Sequence, residues 1–325
     1  MKRTAARLLA ILAAAAVLLW IFGPYEPVEL HAAFDPARFS EDVPAYFAAR
    51  EAALPDIRPG TEKRVIWAGA PGEKTGVVVV YLHGFSASSE EIRPVPDRIA
   101  QALGANLVYT RLAGHGRTGP AMAEPAIADW TRDTAEALAA ARMLGEQVVI
   151  VATSTGATLA VAAAMDPVMS QDVVAMVLVS PNFGINSAAA PLLTFPAARH
   201  WLPLIAGRTR DTRPDSDEEA RFWTTSYPSV ALMPMAALVQ AVRGLDVSRI
   251  PIPALFWFSP EDRVVRPDLT QDIARRWGGP VAVRLVTMGP GDDPNAHVVA
   301  GAIKSPGQTD LAVTEMTAWL KNHLD

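Results

Sequence analysis

Short apolar runs and segments with helical spacing alternate along most of this chain. The runs at 76–82 (GVVVVYL), 148–152 (VVIVA) and 173–179 (VVAMVLV) are continuous, as in strands that are covered on both faces. Between the runs at 76–82 and 148–152, the apolar positions of residues 127–144 recur at helical spacing. Two further apolar runs follow at 254–258 and 281–286. This alternation predicts an α/β fold, a mostly parallel sheet with helices on both faces.

Two stretches depart from that alternation. Residues 183–247 contain no clear strand, many prolines and short apolar segments, which predicts a cap inserted between two strands of the sheet. Residues 24–61 are rich in proline and of mixed polarity, which indicates a linker that packs on the body. The expected organisation is therefore an N-terminal segment at 1–23, the linker, and a main domain at 62–325 that carries the cap.

The N-terminal segment combines a basic head with an apolar run from Leu8 to Phe22, the pattern of a secretory signal or an uncleaved anchor. The run is short for a membrane-spanning helix, which needs roughly 20 residues. Bulky residues end it, including Trp20, and favour an uncleaved anchor over a cleaved signal. We therefore expect a membrane-anchored protein whose catalytic domain lies outside the cytoplasm, on the periplasmic face of the inner membrane if the source is bacterial. Secretion after cleavage is the alternative.

Composition narrows the chemistry. The chain has 325 residues, half of them apolar, which is enough for a large folded core. A net charge of −5 gives no basic footprint for nucleic acid. The absence of cysteine excludes disulfides, thiolate catalysis and cysteine metal sites.

The stretch ATSTG at 152–156 is the first candidate for chemistry. It joins an apolar strand to a helix. It also matches the nucleophile elbow Gly-x-Ser-x-Gly, except that Ala152 replaces the first glycine; Gly156 is the second. In such an elbow Ser154 would be the exposed nucleophile at a helix N-terminus. The alternative is a serine that only caps an ordinary helix, and the pentapeptide alone does not separate the two.

A serine nucleophile requires a base and a carboxylate that orients the base. On this type of sheet they follow in the order Ser, Asp or Glu, His. Asp262 comes directly after the run at 254–258, and His297 lies in a Gly- and Pro-rich loop after the apolar run at 281–286. Loops at the carboxyl ends of parallel strands are where such sheets bind ligands. Asp262 is preferred by its position, and the other acids that could orient His297 are Glu261, Asp292 and Asp293.

Acyl transfer also requires two backbone N–H donors for the oxyanion. Thr155 follows the nucleophile and supplies one, and Phe85, in the loop after the strand at 76–82, supplies the other. Gly84 allows a close backbone approach, and His83 is expected to support the loop through hydrogen bonds. His115, in LAGHG, has no partner at metal-ligand spacing, so no metal site is expected.

These segments resemble the α/β-hydrolase superfamily, and within it the carboxylesterase and monoacylglycerol-lipase-like branch, also called serine aminopeptidase-type hydrolases. The resemblance covers residues 62–324 and is carried by YLHGF at 81–85, LAGHG at 112–116, ATSTG at 152–156, SPEDRVV at 259–265 and the loop of His297. It implies a triad of Ser154, Asp262 and His297, an oxyanion hole at Phe85 and Thr155, and a cap that shapes an acyl pocket. Ala152 and Thr155 differ from the residues usual in that branch.

The expected activity is hydrolysis of carboxylic esters through an acyl-enzyme, without a metal or organic cofactor. The apolar cap and the membrane helix favour a lipid or small-molecule ester with a hydrophobic acyl group. Amide, peptide or thioester hydrolysis by the same groups is the nearest alternative. A catalytically inactive, membrane-tethered binding protein or a lipid-binding module is an alternative of another class. The pattern gives no indication of the oligomeric state.

Overall fold

A computed structural model describes residues 2–40 and 42–324. The strands of this part of the chain are β1 (Arg64–Ile66), β2 (Thr75–Leu82), β3 (Asn106–Tyr109), β4 (Gly145–Thr153), β5 (Val173–Val179), β6 (Thr209–Asp211), β7 (Ser226–Pro228), β8 (Ala254–Phe258) and β9 (Val281–Leu285). Seven of them form one sheet in the order β1-β3-β2-β4-β5-β8-β9. Every neighbouring pair is parallel except β1 and β3. The predicted, mostly parallel sheet is confirmed.

Helices cover both faces of this sheet. The helices of the described part of the chain are α1 (Lys2–Phe22), α2 (Val43–Ala52), α3 (Val95–Leu103), α4 (Ile127–Leu144), α5 (Thr155–Ala164), α6 (Ala198–Ala206), α7 (Asp217–Phe222), α8 (Leu232–Arg243), α9 (Pro267–Arg276) and α10 (Thr309–Leu324). Helices α4, α5, α8 and α9 share one hydrophobic core with the sheet, and α3 and α10 share the other.

The continuous apolar run of β2 follows from this double cover. Successive side chains of a strand point to opposite faces. Val78, Val80 and Leu82 enter the core beneath α4 and α5, whereas Val79 and Tyr81 enter the core beneath α3 and α10. A central strand therefore has no solvent face on which a polar residue would be tolerated.

The segment between β5 and β8 contains α6, α7, α8 and the antiparallel pair of β6 and β7. The sequence gives no sign of these two strands, because each has only three residues and β6 is exposed throughout. This segment, for which the sequence predicts a cap, contacts the body near the loop after β2, where the N–H of Thr224 donates to the carbonyl of Ser86 at 2.7 Å.

The segment before β1 lies against the body rather than extending from it. Phe39 and Phe47 are buried in the core beneath α4. Glu51, on α2, accepts two hydrogen bonds from the guanidinium of Arg111, both at 2.8 Å, and both side chains are buried. This ion pair ties α2 to the loop that follows β3.

The predicted membrane anchor falls on α1 and requires a correction. The uninterrupted apolar stretch of α1 begins only at Leu8 and ends at Phe22. At 1.5 Å per residue such a stretch rises about 22 Å, less than the roughly 30 Å of a bilayer's hydrocarbon core. Across residues 2–40 and 42–324, no helix has the length and apolar character that crossing a membrane requires. The prediction of a membrane-anchored protein is therefore wrong, and the location inferred from the anchor loses its basis.

Candidate active site

Ser154 lies at the turn between β4 and α5. Its backbone has φ 52° and ψ −117°, a conformation that non-glycine residues adopt rarely and at a cost in energy. The neighbouring strand holds it there: the Ser154 N–H donates to the carbonyl of Val179 at 2.9 Å, and the Ser154 carbonyl accepts from the N–H of Asn182 at 3.1 Å. A sharp, strained strand-to-helix turn of this kind presents the serine hydroxyl above the sheet.

Gly156 allows the first turn of α5 to lie against the end of β2. A Cβ atom at this position would be 2.2 Å from the carbonyl oxygen of Leu82 and 2.6 Å from that of His83. Both contacts are with backbone, which cannot move aside as a flexible side chain can. The missing side chain therefore brings Ser154 close to the loop that follows β2.

We expect Gly156→Ala to lower the free energy of unfolding by about 1–3 kcal/mol, the usual cost of overpacking a tight site. Denaturant titration measures this change. Gly76→Ala is the matched control, because a Cβ there would meet nothing within 4 Å, and its effect should stay within about 0.5 kcal/mol. Equal stability of the Gly156→Ala variant and the wild type would contradict the close approach.

His297 stands between Ser154 and Asp262. Its Nε2 is 3.0 Å from Ser154 Oγ, and its Nδ1 is 2.8 Å from Asp262 Oδ2. The second oxygen of Asp262 accepts from the N–H groups of Val264 and Val265 at 2.8 and 2.9 Å, which fixes the carboxylate. The structure thus brings together the three side chains that the sequence proposes for the chemistry, all of them buried.

The other acids proposed from the sequence lie elsewhere. Glu261 is exposed. Asp292 accepts hydrogen bonds from Gly289, Gly307 and Gln308. Asp293 is buried and accepts from the backbone N–H groups of His297 and Val298 at 3.0 and 2.9 Å. Asp293 therefore shapes the loop that carries His297, whereas Asp262 contacts the ring.

The electrostatic surroundings of His297 favour its charged form. Burial by itself lowers the pKa of His297, but the neighbouring carboxylates, first Asp262 and then Glu91 and Asp293, outweigh burial and raise it above its ordinary value. The imidazole can therefore gain a proton readily during a reaction. A base of this kind loses its function as the pH falls through its pKa.

Two backbone N–H groups in this region lack a hydrogen-bond partner in the described part of the chain. Among residues 2–40 and 42–324, neither Phe85 nor Thr155 has an acceptor for its N–H. Gly84 lies against Ser154, because a Cβ on it would be 3.0 Å from Ser154 Cβ. The two residues predicted as oxyanion donors thus directly follow Ser154 and Gly84, which meet at this point.

His83 ties this loop to the next one. Its Nδ1 lies 2.9 Å from the carbonyl of Gly84, and its Nε2 accepts from the N–H of Leu112 at 3.1 Å. Complete burial lowers the pKa of His83 to about 3, so the ring is neutral at ordinary pH. In that form Nδ1–H donates to Gly84 and Nε2 accepts from Leu112, so His83 acts as a structural support.

An apolar wall continues from Phe85 towards the cap. Its members are Phe85, Met122, Tyr227, Ala231 and Leu232, which form one hydrophobic cluster. The rings of Phe85 and Tyr227 pack edge to face with centroids 5.5 Å apart.

Within the described ranges, 2–40 and 42–324, no three His, Asp or Glu side chains are grouped as metal ligands would be.

Sequence reasoning missed one buried acid of this region, Glu91. Its carboxylate is 2.6 Å from the N–H of Gly84, yet in the sequence it is simply the second residue of a Glu-Glu pair. The sequence carries no local signal for it, because its burial depends on contacts with the loop after β2 and with the segment after His297.

Comparison with solved structures supports the fold. One of LipS and LipT, two metagenome-derived lipolytic enzymes, has a TM-score of 0.65 and 20% identity, over 82% of this chain and 100% of that chain. A soluble variant of monoglyceride lipase from Saccharomyces cerevisiae has a TM-score of 0.61 and 11% identity, over 81% of this chain and 91% of that chain. Monoacylglycerol lipase from Paleococcus ferrophilus has a TM-score of 0.54 and 13% identity, over 80% and 98%. At these identities the likeness is one of fold.

Comparison at the level of sequence gives two results. A search of curated protein sequences found no match. The family model of the alpha/beta hydrolase family matches residues 79–302, which include the loop after β2, the elbow at Ser154 and the loops of Asp262 and His297. The order of the strands, the turn at Ser154 and this match agree, and the chain belongs to the alpha/beta hydrolase family.

Proposed function

We propose that this protein is a serine hydrolase that cleaves carboxylic esters through an acyl-enzyme. The observation that carries the proposal is the continuous hydrogen-bonded series from Asp262 through His297 to Ser154, with distances of 2.8 and 3.0 Å. A carboxylate, an imidazole and a serine hydroxyl in this order are the parts that nucleophilic acyl transfer requires.

In the proposed mechanism, Ser154 Oγ attacks the ester carbonyl while His297 Nε2 takes the hydroxyl proton. Asp262 accepts from Nδ1–H, which keeps Nε2 free to act as the base and stabilises the imidazolium that forms. The N–H groups of Phe85 and Thr155 donate to the developing oxyanion. His297 then returns the proton to the leaving alcohol, and a water molecule that it activates hydrolyses the acyl-enzyme.

The apolar wall at Phe85 supports a hydrophobic acyl group as the substrate. It begins at a proposed oxyanion donor, so the acyl chain of an ester whose carbonyl oxygen occupies the oxyanion hole would lie near the half-buried Phe85 side chain. Burial of each additional methylene against such a wall contributes about 0.8 kcal/mol. Two of the structural relatives carry names as monoglyceride lipases, which agrees with this substrate class.

The test is a series of p-nitrophenyl esters of increasing acyl length, run beside matched amides and thioesters. We expect kcat/KM to rise from acetyl to medium-chain esters and esters to exceed amides, and we expect a fluorophosphonate probe to label the folded protein. A clear preference for acetyl would contradict the hydrophobic acyl group, and a preference for amides or thioesters would change the reaction class. A folded protein that neither reacts with the probe nor cleaves any ester would favour an inactive hydrolase fold that binds a ligand.

A further inference from the structure

Glu91 is a buried carboxylate that the proposed mechanism does not use. Its side chain lies behind the loop after β2, and the residue is only 2% exposed. One oxygen, Oε2, accepts from the N–H of Gly84 at 2.6 Å and from the hydroxyl of Tyr81 at 3.1 Å. Burying a carboxylate is costly unless hydrogen bonds compensate it, so a role beyond packing is indicated.

The same network reaches the nucleophile. The hydroxyl of Tyr81 is 3.1 Å from Thr153 Oγ1, and Thr153 directly precedes Ser154. Glu91 is thus linked on one side to the loop of the proposed oxyanion hole and on the other to the elbow.

The backbone around Glu91 packs against the segment that follows His297. A Cβ on Gly301 would be 2.6 Å from Ile92 Cα and 3.0 Å from the carbonyl of Glu91. The N–H of Ala302 donates to the carbonyl of Arg93 at 2.8 Å. Glu91 therefore occupies the junction of three parts of the site: the loop after β2, the elbow and the segment after His297.

Both polar groups of Gly84, next to this junction, are engaged in hydrogen bonds. Glu91 accepts from the N–H of Gly84, and the carbonyl of Gly84 is bonded to His83 and to the N–H of Ala87. These bonds hold the two peptide planes on either side of Gly84: Glu91 fixes the plane before it, and the bonds to its carbonyl fix the plane that contains Phe85 N–H. The next donor along the chain, Phe85 N–H, is the one without a protein acceptor in the described part of the chain.

Glu91 also acts on His297 through its charge. Its negative charge is one of the causes that raise the pKa of His297. Burial raises the pKa of Glu91 to about 7, although the Gly84 N–H, His297 and the Tyr81 hydroxyl each lower it. The other ionisable groups that face this pair are Tyr81 on β2, Asp262 after β8 and Asp293 in the His297 loop. The protonation of Glu91 and that of His297 are therefore coupled.

We propose that Glu91 is a positioning residue of this active site, which holds Gly84 so that Phe85 N–H meets the oxyanion and whose charge stabilises the imidazolium of His297. This inference rests on the proposed function. It assigns two separable effects to one side chain: an acceptor that orients the loop and a charge that tunes the base.

Glu91→Gln separates the two effects, because glutamine retains an acceptor for Gly84 N–H but carries no charge. We expect kcat for the best ester to fall by no more than about tenfold with KM unchanged, the usual range for one electrostatic contribution. The acidic limb of the kcat/KM profile should move to lower pH, because the charge that raises the pKa of His297 is gone. Glu90→Gln is the matched control: Glu90 pairs with Arg64 and Arg93, and its removal should leave the profile in place.

Glu91→Ala removes the acceptor as well, and we expect kcat to fall by about 10²-fold, the loss seen when an oxyanion donor is removed. Tyr81→Phe removes one hydrogen bond from Glu91 and retains that of Gly84, so its kcat should fall much less. The proposal would be overturned if the acidic limb of the kcat/KM profile does not move in Glu91→Gln, or if kcat falls equally in Tyr81→Phe and Glu91→Ala. If Glu91→Ala does not fold, the pH profile of Glu91→Gln alone tests the proposal. Failure of the proposed function is recognised separately, because the wild type would then not react with a fluorophosphonate.

Discussion

Replacing Ser154 with alanine should abolish labelling by a fluorophosphonate and lower kcat for esters by roughly 10⁴-fold or more, the loss seen when a nucleophile of this type is removed. The reason is that His297 Nε2 has Ser154 Oγ as its partner at 3.0 Å. With the oxygen gone, the base has no hydroxyl to activate and no acyl-enzyme can form. Intact-protein mass spectrometry after exposure to the probe measures the labelling directly.

The chain offers a matched control in Ser180. This serine is also buried, also follows a central strand and also has a positive φ, of 42°. Its Oγ has no hydrogen-bond partner in the described part of the chain. Ser180→Ala should therefore keep full labelling and unfold at the same denaturant concentration as the wild type or a higher one. Labelling that persists in Ser154→Ala would mean that another residue is the nucleophile.

The sheet was largely predictable from the sequence. A parallel strand covered on both faces has to be a continuous apolar run, and the runs at 76–82, 148–152 and 173–179 all became central strands. Helix α3 begins only at Val95, because the residues before Pro94 form turns that carry Glu91 into the core. Strand β6 has no apolar pattern, because pairing with β7 rather than burial defines it.

The candidate site was predictable only in part. The strand-turn-helix context of Ser154 and the order of the three residues are local features that a sequence contains. Which carboxylate reaches the ring of His297 is not local: Asp293 is four residues away and contacts the backbone, whereas Asp262 is 35 residues away and contacts Nδ1. The membrane anchor was predicted from the basic head and the bulky end of the apolar run at Phe22, although that run is shorter than a membrane-spanning helix requires. Glu91 was missed because charged residues are usually solvated, and its burial depends on three segments meeting.

The assignment of Asp262 as the acid that orients His297 can be tested by replacing one of its carboxylate oxygens with an NH₂ group. We expect Asp262→Asn to lower kcat by about 10⁴-fold, because the imidazole is then held in the wrong tautomer. The remaining oxygen can still accept from Val264 and Val265, whereas the new NH₂ donates to Nδ1. Nε2 then carries the proton and cannot take another from Ser154. The rate of fluorophosphonate labelling should fall together with kcat, and KM should change little.

Asp293→Asn is the matched control for Asp262→Asn. It makes the same chemical change in a neighbouring buried carboxylate: the amide oxygen can still accept from the N–H groups of His297 and Val298, and the oxygen that is replaced makes only a longer hydrogen bond with Asn295 N–H, at 3.2 Å, and lies 3.8 Å from Lys304 Nζ. The loop should therefore keep its shape, and kcat should fall by about tenfold at most. Because Asp293 also raises the pKa of His297, the acidic limb of kcat/KM should move to lower pH. A loss in Asp293→Asn equal to that in Asp262→Asn would mean that contact with the ring does not distinguish the two acids, and the proposed tautomer mechanism would fail.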